Sequence, residues 1–123
     1  MPMKMSHIED ELRAIGVTPR YRGYAQAALA IELVLEDNTR LCGIMKEVYW
    51  EVADLCGCSR YAVERNLRTI SHRAWRAAPE RLREIAGYPM SASPTASELI
   101  AILALYIRRQ DAVLSPAAPA APG

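Results

Sequence analysis

Apolar residues recur at helical spacing along nearly the whole of this 123-residue chain, whereas no segment alternates apolar and polar residues between turn signals. A chain of this length suits one domain with one modest hydrophobic core. The pattern therefore predicts an all-α fold, a compact bundle of about six or seven helices over residues 1–110. Residues 111–123, which end in SPAAPAAPG, have the low complexity of a disordered tail.

Capping and breaking residues divide this pattern into separate helices. Ser6 and Glu9 form a capping box, S-x-x-E, which predicts that the first helix begins at Ser6. A second box, Thr95 with Glu98, predicts the start of a last helix that runs to about Gln110. The helices predicted between these two run from Tyr24 to Glu36, from about Arg40 to Met45, from Lys46 to Cys56, from Ser59 to about Trp75, and from Pro79 to a stop at Gly87. The helix from Tyr24 is apolar nearly all round, which predicts a buried central position.

Two of the three cysteines flank Gly57 in the stretch DLCGCSR, a feature that suits either a metal or redox site or a turn. A structural zinc site needs four ligands, usually with C-x2-C pairs, and a redox pair usually has the spacing C-x-x-C. Here the spacing is C-x-C, Cys42 lies in an apolar helical context, and His7 and His72 have no partner at a suitable spacing. The sequence therefore predicts no metal, no cofactor and three reduced thiols.

The turn interpretation leads to a helix-turn-helix, in which two helices meet at a steep angle through a short turn that often holds glycine. With Gly57 as the turn residue, Ala53 lets the two helices approach closely and Cys56 packs on the inner face of the first. Cys58 then fills a small apolar gap beyond the turn, and Ser59 caps the second helix. We expect this arrangement rather than cysteine chemistry.

The helix after the turn has one apolar face and one basic face. The residues predicted to pack inward are Val63, Leu67, Ile70 and Ala74, with Asn66 as a polar misfit at the margin. The opposite face carries Tyr61, Arg65, Arg68, Thr69, His72 and Arg76, with Arg60 and Glu64 at its start. Five arginines and one glutamate lie within residues 59–76, although the net charge of the chain is only +1. A basic face of this kind indicates an anionic partner.

Arginine and glutamate side chains on such a helix suit a DNA duplex. Arginine can bind guanine O6 and N7 through two hydrogen bonds, and glutamate can accept a hydrogen bond from cytosine N4. The residues predicted to contact DNA are Ser59, Arg60, Tyr61, Glu64, Arg65, Arg68 and His72. Glu64 also has a second interpretation, an ion pair with Arg60 or Arg68 at a spacing of four residues.

Several separated motifs occur in an order that indicates a known family. They lie between about Ile8 and Ile107 and comprise LRAIGV, RGY, KEVY, VER, AW, GY and PTASELIA. With them the chain resembles the C-terminal DNA-binding effector domain of the sporulation-initiation master response regulator of endospore-forming Firmicutes. The resemblance implies a helical bundle around a helix-turn-helix whose recognition helix enters the major groove of double-stranded DNA. It also implies that Glu64, Arg65 and Arg68 take the positions of the family's DNA-contacting glutamate and arginines.

Protein partners are implied by the same resemblance. In the family, the segment after the recognition helix helps to contact the sigma subunit of RNA polymerase. That segment is here Arg76 to Gly87, with Glu80, Arg81, Arg83 and Glu84 as its candidate exposed residues. Tandem DNA boxes in the family imply a homodimer that binds side by side.

Two departures from the family pattern affect these expectations. Ala62 stands where the family has an arginine directly before Val-Glu-Arg, so the preferred DNA sequence is expected to differ. The family's regulators also carry an N-terminal phosphoacceptor receiver domain, whereas this chain begins directly before its first helix. If the chain is complete, we expect an orphan effector domain that no fused receiver controls.

Two other function classes are open on the sequence alone. One is an interaction module that binds a parent regulator or RNA polymerase without specific DNA binding. The other is a nonspecific nucleoid or single-strand binder, which the near-neutral net charge disfavours. No phosphate loop, nucleophile elbow or H-E-x-x-H motif is present, so the chain is not predicted to be an enzyme. No apolar run is long enough to span a bilayer and no signal peptide pattern occurs, which predicts a cytoplasmic protein without a membrane partner.

Overall fold

The computed structural model describes residues 2–114, and in them every regular element is a helix, which confirms the all-α prediction. Six α-helices are numbered here in chain order: α1 (Pro2–Ala14), α2 (Tyr24–Glu36), α3 (Trp50–Cys56), α4 (Arg60–Ala77), α5 (Pro79–Ala86) and α6 (Ala96–Leu114). A 3₁₀ helix, Asn38–Gly43, and a π-helical turn, Met45–Tyr49, connect α2 to α3. Among these described helices, none has both the length and the apolar character that crossing a bilayer requires.

Helix α2 lies at the centre of the bundle, as its apolar sequence predicts. It packs against α1, α3, α4 and α6, and its Ala27, Ile31 and Val34 side chains are fully buried. From α6, Leu103 and Ile107 join the same core. Because α4 packs against both of these helices, the core fixes where the basic face of α4 points.

The first helix begins earlier than predicted. The prediction that a capping box starts this helix at Ser6 is wrong, because α1 starts at Pro2 and Ser6 lies one turn inside it. Proline suits the first helical position, where its fixed φ fits and its missing N–H would have no partner anyway. Met5 is half-buried against the core, so the added turn gains tertiary contacts that a start at Ser6 would lose.

The last helix begins as predicted and ends later. The backbone N–H of Thr95 donates to Glu98 Oε1 at 2.9 Å, and the N–H of Glu98 donates to Thr95 Oγ1 at 3.1 Å, which confirms this capping box. Helix α6 continues past Gln110 to Leu114. The rest of the predicted tail, residues 115–123, lies outside the described residues.

The segment between α2 and α3 is tighter than the predicted helix from Arg40 to Met45. It folds as a 3₁₀ helix because Asp37 ends α2 and accepts two hydrogen bonds, from Thr39 N–H at 3.0 Å and from Thr39 Oγ1 at 2.6 Å. These hydrogen bonds lower the pKa of the Asp37 carboxyl below its usual value. Asp37 is therefore the N-cap of this 3₁₀ helix.

The π-helical turn sets the rotation of α3. It was predicted as part of one helix from Lys46 to Cys56, but the wider turn ends at Tyr49 and α3 proper begins at Trp50. Val48 and Tyr49 are buried, whereas the Trp50 side chain is 38% exposed. The turn thus places a large aromatic ring on the surface beside the start of α4.

Gly57 forms the predicted turn between α3 and α4. Its φ of +66° is a left-handed conformation that glycine adopts without a steric penalty. The N–H of Cys58 donates to the carbonyl of Ala53 at 3.0 Å and closes the end of α3. Ser59 Oγ accepts from the N–H of Ala62 at 3.1 Å, which confirms Ser59 as the cap of α4. A helix-turn-helix is therefore present at this position.

The cysteines around the turn pack differently from one another. Cys58 is half-buried against the core, as predicted, but Cys56 is exposed because it is the last residue of α3, at the edge of the bundle. Partial desolvation, and secondly the neighbouring Cys58 thiol, raise the pKa of the Cys56 thiol above its usual value. The reactive thiolate is consequently scarce at neutral pH, which is unfavourable for redox chemistry.

The polar misfit Asn66 has a partner that the sequence pattern did not indicate. Its Nδ2 donates to Gln26 Oε1 at 3.2 Å, and Gln26 Nε2 in turn donates to Cys58 Sγ at 3.6 Å. Gln26 lies on the central helix and is only 7% exposed. This chain of hydrogen bonds therefore connects α2 to α4 and to the turn.

We expect Asn66→Ala to lower the free energy of unfolding by about 1–3 kcal/mol, because it leaves the buried Gln26 amide oxygen without its donor. Urea denaturation followed by circular dichroism measures this change. A double variant, Gln26→Leu with Asn66→Leu, replaces both partners by apolar groups of similar size and is expected to lose less stability than Asn66→Ala. Equal stability of Asn66→Ala and the parent would show that the hydrogen bond contributes nothing.

Candidate nucleic-acid interface

Helix α4 separates a buried apolar face from an exposed basic face. The inward residues Val63, Leu67, Ile70 and Ala74 are all buried, as predicted. The residues exposed on or beside the opposite face are Ser59, Arg60, Tyr61, Arg65, Arg68, Thr69, His72 and Arg76, with Glu64 half-buried beside them. The fold therefore brings all seven residues predicted to contact DNA to one surface, at and after the turn.

Arg65 occupies the middle of this surface. Among the described residues, its side chain makes no hydrogen bond or ion pair; only its backbone carbonyl is used, accepting from Thr69 Oγ1 at 3.1 Å. Arg68 lies 3.9 Å from Glu64, measured between Nη2 and Oε2, in an exposed pair of the kind worth about 0.3–0.5 kcal/mol. The structure thus favours Arg68 over Arg60 as the partner of Glu64, and it leaves the Arg65 guanidinium available to a ligand.

Tyr49 supports this face from below. It is 3% exposed and, with Glu64, Arg68 and His72, it lines a groove of about 480 Å³ between α4 and the start of α6. Burial raises the pKa of the Tyr49 hydroxyl to about 12, and the Glu64 carboxylate acts in the same direction. The hydroxyl is therefore neutral at physiological pH, and the buried ring lies against α4.

The N-terminal end of α4 carries an aromatic and cationic cluster that the sequence did not indicate. The Arg60 guanidinium lies 4.5 Å from the centroid of the Trp50 ring and 5.3 Å from that of Tyr61. Lys46 Nζ lies over the same Trp50 ring at 5.9 Å. A tryptophan in such a helix is more often a core or helix-packing residue than an exposed one. The available signal was its place next to the inward residues Val48, Tyr49 and Val52, which leaves position 50 off the buried face.

His72 is tied to the loop that precedes α6. Its Nδ1 lies 3.0 Å from Ser93 Oγ, and Ser93 Oγ is also 3.3 Å from the carbonyl of Pro94. A nucleophilic serine needs its histidine oriented by a third group. In the described part of the chain, no carboxylate reaches the ring of His72. The hydrogen bond between His72 and Ser93 therefore joins α4 to this loop. A buried hydrogen bond beside it, from Ser71 Oγ to the carbonyl of Pro94 at 2.6 Å, joins the same two elements.

The segment after α4 differs from its predicted exposure at two residues, Arg81 and Arg83, which are both half-buried. Arg81, predicted to be exposed, is engaged with the carboxylate of Glu11, with Nη2 to Oε1 at 3.0 Å, and with Tyr106 Oη at 3.4 Å. Glu80 and Glu84 are exposed, each in an i,i+3 pair with an arginine. Arg81 therefore joins α5 to α1 and α6, and the acidic residues form the accessible part of the segment.

The dimensions of the basic face suit the major groove. From Tyr61 to His72 the helix extends roughly 16 Å at 1.5 Å per residue, and a single α-helix fits a groove about 12 Å wide. The cap at Ser59 and the turn at Gly57 hold this helix at the surface, with α3 behind its N-terminal end. The arrangement exposes the guanidinium groups of one helix face to solvent, where base edges and phosphates can be reached.

Comparison with known families agrees with this geometry. A family model described as "Sporulation initiation factor Spo0A C terminal" matches residues 8–107 of the chain. The match begins in α1 and ends in α6, so it includes the turn at Gly57, the whole of α4 and the segment that follows it.

Proposed function

The chain belongs to the family of the Spo0A C-terminal domain, the effector and DNA-binding domain of that sporulation initiation factor, and we propose that it is a sequence-specific transcriptional regulator. The family is regulatory rather than enzymatic. Helix α4 is proposed as the recognition helix, with residues 59–72 in the major groove of double-stranded DNA. A regulator of this kind would act in the cytoplasm, as the sequence predicts.

One observation carries this proposal: Arg65 is exposed and unpaired within the described residues, at the centre of a basic face on the second helix of a helix-turn-helix. The N-terminal residues of a recognition helix reach base edges, and the first helix of the motif crosses the DNA backbone. Here α3 takes the place of that first helix. The position of Arg65 after one full turn of α4 therefore suits contact with a base.

Specific roles follow from side-chain chemistry. Arg65 is proposed to bind guanine through its O6 and N7 atoms, and Arg68 to bind a base or a phosphate. Glu64 can leave its weak pair with Arg68 to accept a hydrogen bond from cytosine N4. Ala62 is half-buried and too short to reach a base edge as an arginine would. We therefore propose that the preferred DNA sequence differs from that of relatives with arginine at this position.

Two further partners remain proposals that rest on the resemblance. The exposed residues Glu80 and Glu84, with half-buried Arg83, are the candidates for contact with the sigma subunit of RNA polymerase. Arg81 is less suited to that role, since Glu11 and Tyr106 already engage it. A homodimer on tandem sites is proposed on the same grounds.

Selection from random DNA duplexes tests the proposed function. We expect an enriched motif, together with binding that weakens steeply as salt rises. Each phosphate contact adds about 0.9 to the slope of log K against log salt, so three contacts imply a loss of roughly 40-fold between 50 and 200 mM. Fluorescence anisotropy of a labelled duplex at several salt concentrations measures this slope.

The other outcomes of this experiment separate the rival functions. Salt-sensitive binding without an enriched motif would indicate a nonspecific binder. No salt-sensitive binding at all would favour the interaction module. In that case, capture by purified RNA polymerase or by a full-length regulator of the family would be the next measurement.

A further inference from the structure

The cluster of Trp50, Arg60 and Lys46 beside the turn lies on the surface of the fold. Trp50 is exposed, and Arg60 and Lys46 are exposed as well. Both cations nevertheless lie over the same indole ring, with Arg60 at 4.5 Å and Lys46 at 5.9 Å from its centroid. Two positive charges therefore lie close together on the surface at the start of α3.

Stacking on an indole ring prepares an arginine to bind an anion. The ring attracts the guanidinium through its negative face and restricts the rotamers of a long side chain, while the edge of the guanidinium keeps its N–H donors free. Among the described residues, Arg60 has no carboxylate partner within 4.0 Å, and Glu64 pairs with Arg68 instead. The Arg60 donors are therefore ordered and unused.

The position of the cluster indicates which part of DNA it would meet. Arg60 is the first residue of α4, Trp50 is the first residue of α3, and Lys46 lies in the turn before it. In a helix-turn-helix the first helix crosses the sugar-phosphate backbone, so the side of Arg60 that faces α3 lies toward phosphates. Asp54 lines a cleft of about 330 Å³ with Trp50, Arg60 and Tyr61. Its carboxylate disfavours an anion close by, so a phosphate would bind on the side of the Arg60 guanidinium away from Asp54.

We infer that Trp50 is a positioning residue that holds Arg60 for contact with a DNA phosphate beside the N-terminus of α4, with Lys46 as a second cation on the same ring. This inference rests on the proposed DNA-binding function and deepens it. It assigns to Arg60 a contact with the sugar-phosphate backbone of DNA rather than with a base. It also gives this chain an arginine near the start of α4, although Ala62 supplies none.

The test compares Arg60→Ala, Trp50→Ala and Trp50→Phe with the parent by anisotropy on the selected duplex and on a scrambled duplex. Arg60→Ala is expected to weaken binding to both duplexes roughly ten-fold and to reduce the salt slope by about 0.9. Trp50→Ala is expected to weaken both about two- to five-fold, as loss of a cation–π contact implies, and Trp50→Phe is expected to restore most of the loss. The double variant Trp50→Ala with Arg60→Ala should bind as Arg60→Ala does.

Arg13→Ala is the matched control. Arg13 is an exposed arginine on α1, and the end of α1 lies near the C-terminal end of α4, roughly 26 Å from Arg60 along that helix. Its removal changes the net charge equally and is expected to leave the salt slope unchanged. In a Trp75→Phe background Trp50 is the sole tryptophan. In that background Arg60→Ala should change the fluorescence emission of Trp50 in the absence of DNA, which tests the contact between Arg60 and Trp50 independently of binding.

Each contrary result overturns a distinct part of the inference. Parent-like binding by Arg60→Ala would show that Arg60 makes no phosphate contact, and the proposed function would stand. Weaker binding only to the selected duplex, with an unchanged slope, would make Arg60 a base-reading residue. Weak binding by Arg60→Ala together with parent-like binding by Trp50→Ala would remove the positioning role. A parent chain that binds no DNA would overturn the proposed function, and the inference with it.

Discussion

An Arg65→Ala variant is expected to lose about 1–3 kcal/mol of binding free energy on the selected duplex, or roughly 5- to 150-fold in Kd, and to discriminate less between that duplex and a mismatched one. The physical reason is the loss of two hydrogen bonds to one guanine, made by a guanidinium that has no partner within the described part of the free protein. Anisotropy on duplexes that differ at single positions measures both effects. Folding should be unaffected, since the Arg65 side chain is exposed.

Arg73→Ala is the matched control for Arg65→Ala. Arg73 is an exposed arginine on the same helix, but it lies eight residues further on and about 80° around the axis, over the ring of Tyr21 at 5.2 Å. Its removal changes the charge of α4 equally without removing a predicted base contact. Equal loss of discrimination in both variants, or none in Arg65→Ala, would contradict the assignment of Arg65 to base recognition.

Gly16→Ala is expected to destabilise the protein by about 2–4 kcal/mol. Gly16 ends α1 with a φ of +85°, where an L-residue costs roughly 1–2 kcal/mol, and an added Cβ would lie 2.8 Å from Cβ of Ala77 at the end of α4. The clash adds an overpacking term, because both atoms belong to short side chains that cannot rotate away. Chemical denaturation measures the loss, and DNA binding should weaken in step with the folded fraction.

Gly57→Ala separates the backbone strain from the steric clash, the two contributions to the effect of Gly16→Ala. Gly57 also has a positive φ, +66°, but among the described residues no atom beyond its two chain neighbours lies within 4 Å of the position that its Cβ would take. Its replacement is therefore expected to cost only the backbone strain, about 1–2 kcal/mol. If Gly57→Ala proved as destabilising as Gly16→Ala, the contact between α1 and α4 would not explain the larger effect.

Local sequence signals succeeded where the relevant partners are near in the chain. Thr95 and Glu98 form their capping box, and Ser59 caps α4, because each bond joins residues three apart. The equivalent pattern of Ser6 with Glu9 did not start a helix, since contacts of Met5 with distant core residues favour an earlier start of α1. A capping motif indicates only where a helix can begin, and tertiary packing decides at which of the possible residues it does begin.

The sequence alone determined the class of the fold, the turn at Gly57, the basic face of α4 and the family, because helical periodicity, caps and ordered motifs are properties of neighbouring residues. Only the tertiary structure decided which polar groups are engaged. Asn66 bonds to a residue 40 positions away, and Arg81 to one 70 positions away. The exposure of Trp50 depends likewise on the rotation that the π-helical turn gives to α3. Contacts between residues distant in the chain depend on how helices pack, and no local pattern encodes that packing.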